Sequence, residues 1–227
     1  MTVARPVTLT TSVYERLRRD VLKAKFAPGE KLRIEALCAH YQVGASPIRE
    51  ALSRLSAEGL VTREEQRGFR VSQVSLEDLH ELTATRCTIN ELALRQAIAK
   101  GDSNWEEQVL LAYHRMSRTP VYLPGTEDVS SEWERRHRDF HGALIAACGS
   151  RWICDFSAML FDLADRYRHL STASGPHRNF DDEHRAMMEA VIARNADLAV
   201  RLLNAHVSRT SEIVEFVEQS EEVAKRA

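Results

Sequence analysis

Apolar residues recur at three- and four-residue spacing along most of the chain, and the pattern changes character near residue 75. Such spacing is typical of helices with one buried face. In the first part it covers residues 12–25, 34–40 and 46–58. Two short apolar runs follow, Leu60-Val61 and Phe69-Arg70-Val71, and both resemble strands. This order predicts one helix, then a helix-turn-helix pair, then a two-stranded wing.

Beyond residue 75 the helical pattern continues without a competing strand pattern. The amphipathic segments are 76–99, 105–118, 132–148, 152–170, 180–194 and 196–217. Six successive amphipathic helices predict a helical bundle. We therefore expect a mainly α chain in which residues 1–74 form an N-terminal winged helix-turn-helix and residues 75–227 form a C-terminal all-α helical bundle.

Composition narrows the class of protein. Apolar residues make up 44% of the chain and charged residues 28%, which is an ordinary globular balance. The sequence has no apolar run long enough for a membrane span and no apolar signal core at its start, so we expect a cytoplasmic protein without a membrane partner. The four cysteines lack paired short spacing, which predicts reduced and mostly buried thiols.

Charge is distributed unevenly between the two parts. Residues 1–74 hold 13 Lys and Arg against 8 Asp and Glu, whereas residues 75–227 hold 18 against 25. Because the N-terminal part is basic and the C-terminal part is acidic, we expect only the N-terminal part to bind a polyanion such as DNA.

The third helix carries the candidate DNA contacts. Ser46 is a good N-cap residue and Pro47 suits the first helical position. Backbone N–H groups at a helix start can bind a phosphate, and Arg49 in the first turn can reach a guanine edge or a phosphate. The alternative is that this is only a solvated helix face. The full set of predicted DNA-binding residues is Arg33, Ser46, Pro47, Arg49, Arg54, Arg67 and Gly68.

Three strings in the front carry a family resemblance: APGEKLRIEAL, VGASPIREALSRLSAEGLV and RGFRVS. They are similar to the DNA-binding domain of the GntR family of bacterial regulators. The resemblance implies a winged helix-turn-helix that binds operator DNA, with Arg67 and Gly68 at the wing tip. Many relatives carry Arg where this chain has Ala45, so one expected DNA contact is missing here.

Four histidines in the rear need a separate explanation. His137 and His141 are four residues apart on one predicted helix, so they project about 40° apart and face the same way. His184 and His206 lie near the apolar stripes of the last two helices. Imidazole nitrogens suit Zn, Ni, Cu or Fe. The histidines therefore indicate either a metal site or a set of separate core and surface residues.

The rear resembles the helical effector (FCD) domain of the FadR-type branch of the GntR family, through WERRHRDFHGALIAACGS and DDEHRAMMEAVIARNADLAVRLLNAH. Many members of that branch bind a divalent metal with one Asp and three His. The resemblance implies His141, His184 and His206 as ligands, with His137 in the position of the Asp. Because this set lacks an anionic ligand, we expect Zn or Ni to be favoured over Mn. Alternatively, partly protonated imidazoles bind a carboxylate directly.

The same resemblance implies a small organic acid as effector, held in a pocket inside the bundle. Arg86 matches a common family position, and Tyr167 and Arg168 are further candidates for effector binding. Together with LFDLADRYR, the strings are most similar to the glutarate-responsive repressor type, so a short dicarboxylate such as glutarate is expected.

These observations predict a ligand-responsive transcriptional regulator and not an enzyme: a homodimeric repressor, released from a palindromic operator by the acid. The alternative is a helical metal-dependent enzyme with an accessory winged-helix head. Its weakness is the general base, because Glu134 is the only carboxylate on the face of His137. A protein–protein adaptor is the third possibility, and salt-dependent DNA affinity would exclude it.

Overall fold

The computed structural model describes residues 8–65, 67–126, 128–171 and 180–226 and confirms the mainly α fold class. The helices are α1 (Leu9–Leu22), α2 (Ile34–Tyr41), α3 (Ala45–Ala57), α4 (Leu76–Lys100), α5 (Ser103–Ser117), α6 (Ser131–Ile145), α7 (Arg151–Ser171), α8 (Phe180–Ile192) and α9 (Ala196–Arg226). The strands are β1 (Lys31–Leu32), β2 (Val61–Glu64) and β3 (Gly68–Val71). The chain divides into two compact units: one extends to Ser75 and includes Asp165–Leu170, and the other contains the remainder.

In the first unit, three helices pack on a small antiparallel sheet with strand order β1-β3-β2. Its core is apolar and is made by α1 (Val13, Leu17, Val21), α3 (Ile48, Leu52, Leu55) and the strands (Val61, Phe69, Val71). The expected two-stranded wing gains a third strand, because Lys31 and Leu32 pair with Arg70 and Phe69 of β3. A two-residue strand has too few positions to show an alternating pattern, so the sequence did not indicate it.

Two polar contacts fix the helices of this unit. Asp20 of α1 accepts a hydrogen bond from the Tyr41 hydroxyl at 2.7 Å. It also forms an ion pair with Lys25 at 2.8 Å. Burial alone would raise the pKa of Asp20, but the hydrogen bonds from Lys25 and Tyr41 outweigh it and the pKa lies below its usual value. Glu58, just after α3, accepts hydrogen bonds from the side chains of Tyr14 and Arg18 of α1. These contacts join α1 to the end of α2 and to the end of α3.

The second unit is a helical bundle around one apolar core. The core residues come from five helices (Ala93, Leu94, Trp105, Val109, Phe140, Leu144, Met187, Val191, Val200, Leu203). The helix expected to run to Cys148 instead ends at Ile145, continues as a short 3₁₀ turn over Ala146–Cys148, and stops at Gly149. Gly149 has φ of 84°, a left-handed conformation that glycine adopts readily. Among the described residues, no helix is both long and apolar enough to cross a membrane.

Candidate functional site

The four predicted histidines converge inside the second unit. α6 supplies His137 and His141, α8 supplies His184, and α9 supplies His206. One ligand nitrogen of each lies within 4.8 Å of the others, and three of the four residues are buried. The Nε2 atoms of His137 and His141 are 3.0 Å apart. The i, i+4 spacing on α6 therefore places both rings on one face, and α8 and α9 complete the set.

Aromatic side chains hold the imidazole rings in place. Trp133, one turn before His137, stacks on its ring with centroids 4.7 Å apart and planes 10° apart. Phe161 of α7 contacts His137 and His141, at centroid distances of 5.4 and 5.5 Å. Rings locked by packing present their nitrogens in a defined geometry, which a metal or ligand site requires.

A carboxylate supports the cluster from outside. Glu183 Oε2 lies 2.8 Å from His206 Nδ1, and the other Glu183 oxygen pairs with Arg209. Metal-binding histidines commonly donate their second ring N–H to a carboxylate in this way. Four nitrogens and no oxygen form the candidate ligand set, which fits Zn, Ni, Cu or Fe and not the oxygen-seeking Mg or Ca. The residues present therefore fit a divalent cation of the nitrogen-binding kind.

A cavity of about 450 Å³ adjoins the histidines. His141 lines it together with Arg86, Asn90, Ser157 and Phe161. Arg86 is buried, and its guanidinium carbon lies 5.3 Å from the centre of the Phe161 ring that also contacts His141. A guanidinium and an imidazole thus flank the same ring. Gln108, Arg138 and Asp139 also line the cavity, so its wall combines two arginines, one carboxylate and neutral hydrogen-bonding groups with apolar side chains.

Sequence reasoning missed the neutral polar pair in this cavity. The Ser157 hydroxyl donates to Asn90 Oδ1 at 2.7 Å, and both residues are buried. Asn90 follows Arg86 by four residues on α4, so helical spacing could have placed it on the cavity face. Ser157 carries no such signal, because a serine on a long helix is most often at the surface.

Tyr167 and Arg168 are buried but do not line this cavity. Both lie in the segment Asp165–Leu170, which groups with the first unit. Arg168 pairs with Asp165 at 2.7 Å. Burial would raise the pKa of Asp165, but Arg168 and His169 lower it to well below its usual range. Of the three predicted effector residues, Arg86 is the one that lines this cavity.

Two free cysteines, Cys148 and Cys154, lie close together near the cavity. Cys154 lines the cavity, and its Sγ lies 3.5 Å from that of Cys148. Burial raises the pKa of the Cys154 thiol, so it stays protonated at neutral pH. Because the thiolate is the form that binds metal, this raised pKa disfavours metal binding at Cys154.

The candidate DNA-binding residues lie in the first unit, and all are exposed except the half-buried Pro47. The expected cap of α3 was wrong: the N-cap is Gly44, and the helix begins at Ala45 without a side-chain capping bond. Gly44 is extended (φ −72°, ψ 171°), so Ser46 and Pro47 fall inside the first turn. Proline is tolerated there because the first four N–H groups of a helix lack partners within the helix. Ser46 and the residues just before it are still exposed to solvent at the start of the helix.

The wing tip has the geometry expected for a close approach to DNA. Gly68 has φ of +95°, and a Cβ placed on it would meet nothing within 4 Å. A side chain would be strained there by the backbone and not by crowding. Arg67 beside it is exposed, and its N–H closes the turn on the Glu64 carbonyl at 3.2 Å.

Comparison with known proteins places both units in one family. The family model for bacterial regulatory proteins of the gntR family matches residues 9–71, and the FCD domain model matches residues 81–209. The HTH-type transcriptional regulator BphR of Paraburkholderia xenovorans (strain LB400) is 38% identical over 220 residues, covering 93% of this chain and 87% of that protein. The HTH-type transcriptional repressor GlaR of Escherichia coli (strain K12) is 36% identical over 199 residues, covering 86% and 90%.

Solved structures agree at the level of the fold. A GntR regulator from Rhodococcus sp. RHA1 superposes with a TM-score of 0.71 at 23% identity, covering 90% of this chain and 96% of that one. These relatives regulate transcription and are not enzymes, which removes the alternative of a helical metal-dependent enzyme. The chain is therefore a transcriptional regulator that belongs to the GntR family and joins its DNA-binding helix-turn-helix domain to an FCD domain.

Proposed function

We propose that this regulator is a homodimeric repressor that leaves a palindromic operator when a small organic acid enters the cavity beside the four histidines. The observation that carries the proposal is the pairing of His141 and buried Arg86 across Phe161 in one cavity. A volume of about 450 Å³ is ordinary for a small-molecule site. Regulators of this family bind DNA operators, typically act as dimers and respond to small molecules.

The chemistry of the cavity favours an acid. The planar guanidinium of Arg86 presents parallel N–H donors that match a carboxylate. A divalent cation held by His137, His141, His184 and His206 would supply a fixed positive charge for a carboxylate oxygen. We propose Zn or Ni over Mn for this position, because all four ligand atoms are nitrogens. The similarity to the repressor GlaR and to the glutarate-responsive type makes glutarate the first acid to test.

The footprint of the purified protein on DNA flanking its own gene tests the whole proposal. We expect a protected palindrome that disappears when millimolar glutarate is added. Protection that ignores glutarate but responds to another acid would correct the ligand alone. Protection that ignores every short mono- and dicarboxylate, with and without zinc, would exclude the acid-sensing cavity.

Arg86→Ala should lower the affinity for the acid by roughly 10- to 150-fold, because it removes a charge-assisted hydrogen-bonding partner worth about 1.5–3 kcal/mol. Operator binding without the acid should stay at the wild-type level. Isothermal titration of the acid measures the first quantity, and fluorescence anisotropy of labelled operator measures the second. Arg201→Ala, at an exposed arginine of α9, is the matched control. Equal acid affinity in the two variants would remove Arg86 from the site.

An exposed aromatic pair supports the homodimer. Trp152 and Phe156 lie one turn apart on α7 and are 75% and 41% exposed. Large apolar side chains exposed together are typical of interaction surfaces, and Trp is enriched among residues that dominate binding energy. A symmetric dimer would bury the same helix from both chains.

Trp152→Ala should weaken the dimer by at least about 2 kcal/mol, a rise of roughly 30-fold in the dissociation constant. Sedimentation equilibrium over a dilution series measures that constant. Tyr122→Ala is the control, since Tyr122 is also an exposed aromatic but lies in the loop between α5 and α6. A dimer that dissociates at the same concentration in the Trp152 variant would place the interface on another surface.

A further inference from the structure

Glu183 makes a polar contact to the histidine cluster from outside it. Its Oε2 lies 2.8 Å from His206 Nδ1, with side-chain exposures of only 17% and 7%. A carboxylate oxygen can only accept a hydrogen bond, so His206 Nδ1 must carry the proton in this pair. Nε2 is then the nitrogen of His206 that can offer a lone pair to a cation. The contact therefore selects both the tautomer and the ligand atom.

A second contact holds Glu183 in its orientation. Arg209 pairs with the other carboxylate oxygen of Glu183 and lies three residues after His206 on α9. Both partners of Glu183 therefore come from one face of α9, while Glu183 itself belongs to the first turn of α8. The carboxylate joins the two helices that supply His184 and His206 to the cluster.

The neighbouring acids on α8 have different partners. Asp181 pairs with Arg185 at 2.6 Å and lies 3.2 Å from the Tyr113 hydroxyl. Asp182 is 65% exposed and lies 3.7 Å from Arg185. Glu183 contacts a histidine of the cluster, whereas the ion pairs described for Asp181 and Asp182 are with Arg185.

The contact between Glu183 and His206 matters because the four imidazoles bring no negative charge to a bound cation. Four neutral imidazoles leave the two positive charges of a bound cation uncompensated in a buried site, and buried charge is costly unless a counter-charge is near. His137 occupies the position that the resemblance assigns to an anionic ligand. The geometry points to Glu183 as the positioning residue of the metal centre: it sets His206 as an Nε2 ligand and places a carboxylate, shared with Arg209, beside a cluster that lacks an anionic ligand. This inference rests on the proposed metal centre.

Zinc affinity of the metal-free protein, measured by competition with a chromophoric chelator, tests the role. Glu183→Leu should lower the affinity by roughly 10- to 100-fold, the usual cost of losing a partner behind a metal ligand. Glu183→Gln keeps an acceptor oxygen but removes the charge, so it should fall between Leu and wild type. Asp182→Asn removes the same charge one residue away and should leave zinc affinity within about twofold of wild type. Thermal unfolding of the metal-free variants checks that each is folded.

The second readout needs no metal. Long-range proton–nitrogen spectra of the ¹⁵N-histidine-labelled, metal-free protein should show a proton on His206 Nδ1 in the wild type and Asp182→Asn, with the signal lost from that position in Glu183→Leu. A wild-type His206 protonated only at Nε2 would overturn the role of Glu183, as would equal zinc affinity in Glu183→Leu and Asp182→Asn. Wild-type protein that binds no zinc, Ni or Cu would instead overturn the proposed metal centre itself.

Discussion

Arg49→Ala should weaken operator binding by roughly 1–3 kcal/mol for each half-site, the usual value of an arginine that contacts a base edge with two hydrogen bonds. Arg49 is exposed on α3, one turn beyond Ala45, and no acidic side chain of the described residues forms an ion pair with it. A symmetric dimer loses the contact twice, so the total should be about 2–6 kcal/mol, or roughly 30-fold to 10⁴-fold in affinity. Fluorescence anisotropy with the footprinted operator at fixed salt measures the loss.

Two further arginines separate base contact from general charge. Arg54 lies on the same helix, but its guanidinium stacks on Tyr14 at 3.6 Å, so Arg54→Ala should cost less than Arg49→Ala. Arg135→Ala removes an exposed arginine of the second unit, paired with Glu132, and should leave DNA binding unchanged. If Arg49 contacts a base, its loss spares binding to unrelated DNA. If it contacts a phosphate, all sequences weaken and the salt slope falls by about one per contact. Wild-type operator affinity in the Arg49 variant would remove α3 from the interface.

The helices of the first unit follow from sequence pattern because each buries a mainly apolar stripe. Ile48, Leu52 and Leu55 recur at helical spacing and all are completely buried. The errors lie where pattern carries no information. The cap of α3 depends on the backbone angles of Gly44, and a Ser-Pro pair is compatible with either start. Strand β1 depends on pairing with β3, which is a contact between residues far apart in the chain.

The candidate site shows the same division between local and distant information. Helical spacing places His137 beside His141 and would place Asn90 beside Arg86, since each pair is four residues apart. Spacing cannot bring α8 and α9 to α6; the resemblance to a known family supplied that expectation. Neither source indicated Glu183, because three consecutive acids at a helix start are explained by the helix dipole alone. Its contacts with His206 and Arg209 distinguish it from Asp181 and Asp182, whose ion pairs are with Arg185.

His137→Asp should change which metal the cluster prefers. The substitution places an anionic oxygen ligand where the structure has a neutral nitrogen, beside His141 and under the ring of Trp133. Manganese favours oxygen ligands, whereas zinc and nickel accept a nitrogen-only set. We expect the affinity for Mn²⁺ to rise by roughly tenfold or more, equivalent to about 1.4 kcal/mol, while that for Ni²⁺ rises less or falls. Competition titrations of Mn²⁺, Ni²⁺ and Zn²⁺ against one chelator give the ratios directly.

Two further variants serve as controls for the metal-affinity ratios of His137→Asp. His141→Ala removes a proposed ligand that also lines the cavity. It should lower the affinity for every metal and blunt the response to the acid, while DNA binding without acid persists. His114→Asp makes the same chemical change at an exposed histidine of α5 and should alter no affinity. If His137→Asp and His114→Asp keep the same ratio of Mn²⁺ to Ni²⁺ affinity, His137 is not a ligand. The cluster would then bind metal through His141, His184 and His206 alone, with the ring of His137 serving as part of the packed wall between Trp133 and Phe161.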